Sequence, residues 1–271
     1  KGLRTCVTTN GALLSGSILE ELAVAGVSKV ILSLQTPDEA TFNHRGAKGI
    51  SFEEYSGKVI EAARKAMNDG RIDLRVSFLS SPLRRLIFPV MPEVSIADDT
   101  ASLKRHLSTW AGYILKGTVY EPMLKQFNSR LRWVSSFLNN TIRLGPNVTF
   151  DTRVMGDWAV HSIDDGIRAR FGYCPAIMEN FGILWNGDVV FCCVDYEGKT
   201  AVGNLKDNTI EECLARPQIQ KALNGFNTLR VLHPHCQRCI GDKNLLNTVV
   251  RQIGSIIYFK GFRRLFPGTA A

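Results

Sequence analysis

The 271-residue sequence has no run of eighteen apolar residues, which argues against a membrane-spanning helix. It has no internal repeat and no low-complexity segment, so solenoids and compositionally disordered chains are set aside. Cysteine is nearly missing from the first two thirds: Cys6 stands alone before Cys174, Cys192, Cys193, Cys213, Cys236 and Cys239. Seven cysteines, an odd number so unevenly placed, do not describe a small secreted disulfide scaffold. No methionine opens the chain, and Lys1 to Asn10 already reads as strand, so the chain is expected to begin inside a domain of a larger protein. Acidic residues are scarce in two places. Lys104 to Arg143 holds seven basic residues against Glu121 alone, and Lys243 to Ala271 holds five against none.

What is present is a chain with 45% hydrophobic residues, long enough to bury a core in one large and one small domain. The formal charge of +8 suits solvated helix faces, and its uneven placement can instead favour an anionic substrate, a nucleic acid or a membrane surface. A soluble, cytoplasmic protein is expected, with no nucleic-acid partner. The cluster from Arg130 to Trp133 reads as a packed helix, not a nucleic-acid platform.

The first half alternates two periodicities. Leu3 to Thr9, Val27 to Leu34, Ile72 to Leu79 and Val148 to Met155 have strand composition, and Asn10-Gly11 follows the first as a turn signal. Between them lie three S/T-x-x-E capping boxes: Ser17 to Glu20, Thr36 to Glu39 with Pro37 at the first helical position, and Ser51 to Glu54. Phe52, Tyr55, Val59, Ala63, Ala66 and Met67 then recur at helical spacing. Strands alternating with helices imply βαβ units and a parallel sheet. Asp98 to Arg143 reads as two helices broken near Gly117, an enlarged crossover able to carry substrate contacts.

The character changes after Trp158. Phe181 to Trp185 and Val189 to Val194 flank Asn186-Gly187-Asp188, a hairpin signal in which both central residues are expected at positive φ. A fourth capping box, Thr209 to Glu212, opens a short helix bearing Cys213, which reads as a small buried hydrophobe. The hairpin can fold Cys174 and Cys192 towards each other, and Cys236-Gln237-Arg238-Cys239 puts two sulfurs on one side of a turn. Such a set suits an iron–sulfur cubane or a tetrahedral zinc ion, with buried thiols or disulfides as the remaining possibility. A zinc ribbon has a tight pair in each half, and here only the second half has one. Neighbours on a strand face opposite sides, so only one of Cys192 and Cys193 is expected to face the metal, the other being a core thiol. His233 and His235 are expected to be loop residues or hydrogen-bond donors behind the ligands.

The run C-x₁₂-G-x₄-C from Cys174 through Gly187 to Cys192, with Cys174-Pro175, Asp195, Gly198, Val202-Gly203-Asn204-Leu205 and the final CQRC, resembles the Twitch module, the shortened relative of the SPASM domain of radical S-adenosylmethionine (SAM) enzymes. The resemblance covers about residues 170 to 242. It implies an incomplete (β/α)₆ partial barrel, about strands three to six, over 1–160, a hairpin-plus-helix iron–sulfur domain over 161–244, and a basic amphipathic tail over 245–271. It selects Cys174, Cys192, Cys236 and Cys239 as ligands of one auxiliary [4Fe–4S] cluster. Thr9-Asn10-Gly11 resembles the turn that ends the third barrel strand, Ser33 the serine near the SAM ribose and methionine, and Arg45 the arginine that follows. These residues, among them Asn10, would bind SAM at the strand ends, where Met155 and Trp158 could line the same pocket.

The family's catalytic CxxxCxxC is absent from residues 1–271. SAM and a second [4Fe–4S] cluster are therefore expected only in an intact protein, which would cleave SAM to a 5′-deoxyadenosyl radical and abstract a substrate hydrogen; the chain as given is expected to be inactive. The resemblance implies a small-molecule or peptide substrate and an electron donor such as flavodoxin or ferredoxin, and names no catalytic residue. Two other readings stand beside it, a non-catalytic iron–sulfur electron-transfer or scaffold protein and a zinc-stabilised binding module. The tail is expected to pack as a helix, with a membrane surface as its alternative.

Overall fold

A computed structural model of the chain describes residues 2–44, 46, 48–81, 96–154 and 166–262. The chain divides into two compact units, Lys1–Met155 and Gly156–Ala271. No helix among the described residues is long and apolar enough to cross a membrane.

The first unit runs β1 (Cys6–Thr9), α1 (Gly16–Val24), β2 (Lys29–Gln35), α2 (Glu39–His44), α3 (Phe52–Asp69), β3 (Asp73–Ser80), α4 (Thr100–Leu115), α5 (Met123–Arg130), β4 (Asn140–Gly145) and β5 (Val148–Val154). Its sheet has the order β1-β2-β3-β5-β4. The first four strands in that order are parallel, and β4 pairs antiparallel with β5. Successive parallel strands lie side by side without the reversal of a doubly wound sheet, which is the winding of a barrel segment. One face of the sheet is apolar: Val30, Leu32, Leu34, Leu74, Val76, Phe78, Val148 and Phe150 are fully or almost fully buried. The opposite face is polar. Arg75 reaches Asp73 and the buried Asp151, each at 3.4 Å, and Thr141 donates to Asp151 at 2.9 Å.

The helices follow their sequence signals with four corrections. Ser51 caps α3 by accepting from the Glu54 N–H, and Tyr55, Val59, Ala63, Ala66 and Met67 are buried as the spacing predicts. α1 begins earlier than expected, because Ser15 and not Ser17 accepts from the Ile18 N–H. At α2 the cap is Asp38, whose carboxylate accepts from the Thr41 N–H, while the Thr36 hydroxyl turns back to Leu34 O. The expected helix up to Arg143 ends at a 3₁₀ turn, Leu131–Trp133, and Asn140–Gly145 is a strand. That strand adds to the sheet edge through a tight β4–β5 connection in which Asn147 takes φ +52°, a conformation asparagine tolerates. Trp133 is exposed with the Arg132 guanidinium over its ring, so of the expected packed cluster it is Leu131 that joins the core.

The second unit carries α6 (Ala176–Glu179), β6 (Gly182–Ile183), β7 (Asp188–Val190), β8 (Gly203–Asn204), α7 (Ile210–Leu214), α8 (Pro217–Asn227), α9 (Pro234–Ile240) and α10 (Leu245–Ile256). The three short strands form one antiparallel sheet, β6-β7-β8. Its apolar cluster is small: Val189, Phe191, Val202, Cys213, Ile219 and Ala222.

Candidate metal centre

The hairpin between Cys174 and Cys192 is closed by hydrogen bonds from Gly187 N to Leu184 O and from Leu184 N to Asp188 O, both 2.9 Å. Of the turn residues only Gly187 has positive φ, +93°. The loop is therefore the three-residue kind closed by a left-handed glycine, and not the two-residue turn with two positive φ values expected from Asn-Gly. Asn204 locks it from outside by donating to Asn186 O and to the Asp188 carboxylate. These bonds, with one from the Asn186 side chain, hold the Asp188 carboxyl below its ordinary range. Gly203 is needed where β8 meets α7, since a Cβ there would stand 2.6 Å from the Cys213 sulfur. Cys213 is fully buried, as expected, in a helix opened by a complete Thr209–Glu212 capping box.

β7 ends at Val190, so the alternation that would bury Cys193 does not extend to the cysteine pair. Cys193 is exposed and Cys192 half-buried, which corrects the expectation of a core thiol. The loop beyond them is organised by Asp195, which accepts from Lys199 N, Thr200 N and the Thr200 hydroxyl. The Thr200 hydroxyl in turn accepts from Phe191 N at 3.0 Å. Desolvation opposes the charge on Asp195, yet the donors from Thr200 and Lys199 hold its carboxyl below the usual range.

Cys236 and Cys239 lie on α9 three residues apart, with Pro234 in its first turn. His233 is the cap, its Nδ1 accepting from His235 N, which accounts for one of the two flanking histidines. The segment entering Cys174 is laced to this half. Ala169 N donates to Gln237 O, Val231 N to Arg170 O and Gly172 N to Leu229 O. α10 braces both sides, a role the sequence reading missed. Gln252 Oε1 accepts from Arg170 N and Phe171 N, Ser255 Oγ accepts from Tyr173 N, and Arg251 donates to Cys239 O. The available signal was three polar residues, Thr248, Gln252 and Ser255, at helical spacing within an apolar run.

Four of the seven cysteines are half-buried, Cys174, Cys192, Cys236 and Cys239, and all seven are free thiols. Burial pushes the Cys236 thiol far above its ordinary range, and the charges Cys174, Cys239 and Cys192 would carry push it further. Burial likewise raises Cys174 and Cys192, opposed by N–H donors from Ala176 to Cys174 and from Val194 and Asp195 to Cys192. Thiols that repel one another when ionised, and that already receive backbone N–H groups, gain as thiolates when a cation supplies the countercharge. The donor set fits an iron–sulfur group on these grounds. Among the described residues no three His, Cys, Asp or Glu side chains converge closely enough to hold a single metal ion.

In the first unit, Thr9 pairs with Leu32, so Asn10 and Ser33 come next on adjacent parallel strands, at the carboxyl ends. Asn10 is exposed, its side chain accepts from Ala12 N, and its carbonyl accepts from the Tyr55 hydroxyl. Ser33 is half-buried where the β2–β3 register shifts. Arg45, Met155 and Trp158 lie outside the described residues.

Residues 174–240 match the SPASM family, described as an iron-sulfur cluster-binding domain. The match opens on Cys174 and takes in Cys192, Cys236 and Cys239. No curated protein matches the chain. Among solved structures, native anSMEcpe with bound AdoMet is 12% identical, with a TM-score of 0.43 over 97% of this chain and 74% of that one. Native anSMEcpe with bound AdoMet and Kp18Cys peptide is 13% identical, with a TM-score of 0.42 over 97% and 75%.

Proposed function

We propose that the SPASM domain of residues 174–240 holds one [4Fe–4S] cluster on Cys174, Cys192, Cys236 and Cys239, as the auxiliary centre of a radical SAM enzyme. The observation that carries this reading is the coincidence of the matched segment with four half-buried cysteines, three of which, Cys174, Cys192 and Cys239, raise the proton affinity of the fourth, Cys236. A single tetrahedral ion with metal–sulfur bonds of about 2.3 Å needs its sulfurs to converge on one point. A cubane takes one thiolate at each of four corner irons, and the one tight pair, Cys236 and Cys239, departs from the two tight pairs of a zinc ribbon.

Under this proposal the division is a barrel segment over 1–160, the cluster domain over 161–244 and the tail over 245–271. Asn10 and Ser33, adjacent at the strand ends, would contact SAM together with Arg45. In the intact protein a catalytic cluster with SAM supplies one-electron reduction and hydrogen abstraction from substrate. The residues of this chain have the supporting tasks. Asp195 fixes the loop after Cys192, His233 caps the CxxC helix, and Gln252 and Ser255 fix the approach to Cys174. The substrate is a small molecule or peptide, with an anionic one favoured by the basic Lys104 to Arg143 stretch, and the electron donor is of the flavodoxin or ferredoxin kind.

Metal analysis of protein purified without oxygen tests the cluster. Iron and acid-labile sulfide with broad visible absorbance are expected, and zinc without iron would overturn the reading. Sequencing upstream of Lys1 tests the enzyme: a CxxxCxxC is expected there, and a natural start near Lys1 would leave only a non-catalytic iron–sulfur protein.

A further inference from the structure

α10 is amphipathic in the opposite sense to an ordinary surface helix. Its polar residues face the protein: Thr248 and Gln252 are 2% and 4% exposed and are held by the hydrogen bonds to Asp242, Arg170 and Phe171. Its apolar residues face out. Leu246, Val250, Ile253 and Ile257, at i, i+4, i+7 and i+11, are 73%, 54%, 46% and 64% exposed. They form one stripe along the helix and into the wider turn Ile257–Phe262 that continues it. A surface helix normally turns the other face to water, and a continuous apolar stripe marks an interaction surface.

Charge selects the partner. From Lys243 to Ala271 the sequence has Lys243, Arg251, Lys260, Arg263 and Arg264 and no acidic residue. Arg251 is engaged with Asp242 and Cys239 O, and Lys260 lies over the Tyr173 ring, but both keep their charge. A second copy docked through the same stripe would bring two acid-free basic segments together, which like-charge repulsion opposes. An anionic bilayer satisfies both features, since it takes an apolar helix face at the acyl boundary and basic residues at the headgroups. Twelve residues of α10 are too few to span it.

We propose that α10, with Lys243 and Lys260 at its two ends, docks the protein on the surface of an anionic membrane, with Leu246, Val250, Ile253 and Ile257 entering the headgroup boundary. This does not depend on the cluster proposal.

Cosedimentation of the full chain with phosphatidylglycerol–phosphatidylcholine vesicles, against pure phosphatidylcholine, reads it directly. The protein is expected to pellet with the anionic vesicles and to stay largely in solution with the neutral ones. Lys243→Gln with Lys260→Gln is expected to weaken binding about twenty-five-fold, at roughly fivefold for each basic residue near the surface. Val250→Asp with Ile253→Asp is expected to abolish binding while the circular dichroism is unchanged. Failure of the wild-type chain to bind anionic vesicles would overturn the proposal. Unaltered binding by the Asp variant would also overturn it, since charge alone would then suffice, as for a nucleic acid or an acidic protein. Loss of fold in the Asp variant, with no effect of the Gln pair, would show that the stripe is covered by protein, and would overturn it as well.

Discussion

The two units are stabilised by different means. The first has a continuous apolar core in which Trp110, Tyr55, Phe78, Phe127 and Phe150 are fully buried under a five-stranded sheet. At about 1.5–3 kcal/mol for each large apolar side chain buried, such a core is the main stabilising contribution in that unit. The second has strands of two or three residues and a small apolar cluster. Its order rests on buried polar anchors, Asp195, Thr200, Asp242, Thr248 and Gln252, around thiols that repel one another when charged. Under the cluster proposal a metal centre would complete a small unit of this kind, and its folding would then be coupled to cluster binding.

Variants in each unit can break that contrast. Trp110→Ala removes a fully buried ring whose Nε1 donates to Pro37 O, and is expected to cost the first unit about 4 kcal/mol. Hydrogen exchange should show the loss within residues 2–154 and leave the iron content unchanged; a loss of iron as well would mean the units are not energetically distinct. Asp195→Ala leaves the Lys199 and Thr200 donors without their acceptor and should cost the second unit about 3 kcal/mol. Unchanged exchange around residues 189–205 would contradict the importance given to polar anchors. Gln252→Ala orphans the Arg170 and Phe171 N–H groups, for about 2 kcal/mol, with faster loss of iron to a chelator than in the wild type.

The smallest effect concerns pH in the first unit. Burial lowers the His106 pKa below its ordinary value, outweighing Asp38 3.7 Å away, with Arg105 lowering it further. The unfolded chain therefore binds the proton more readily. The stability that neutral His106 contributes is present above its unfolded pKa and is lost as pH falls through the folded one. His106→Gln should flatten the dependence of urea stability on pH below about 6.5, and an unchanged slope would assign it to other groups.

How far the sequence could be read follows the same contrast. In the first unit, periodicity located α3 and the parallel strands, because apolar burial leaves a repeating mark. Caps were harder: Ser15 and Asp38 displaced Ser17 and Thr36, since several oxygen-bearing side chains stand within reach of each helix start. In the second unit the cysteine spacing identified the candidate ligands, and the Thr209 box and buried Cys213 appeared as expected. Strand alternation misplaced Cys193 because the strand ends two residues before Cys192. The bracing by α10 escaped notice because an apolar helix suggests an apolar contact, whereas here Gln252 and Ser255 make the attachment.

The most direct test of the cluster assignment is iron and sulfide content, with visible absorbance, in single serine variants of the cysteines. Cys174→Ser, Cys192→Ser, Cys236→Ser and Cys239→Ser should each lose most of the iron and the absorbance, while Cys193→Ser and Cys6→Ser keep both. Retention of the cluster in Cys192→Ser with its loss in Cys193→Ser would contradict the account.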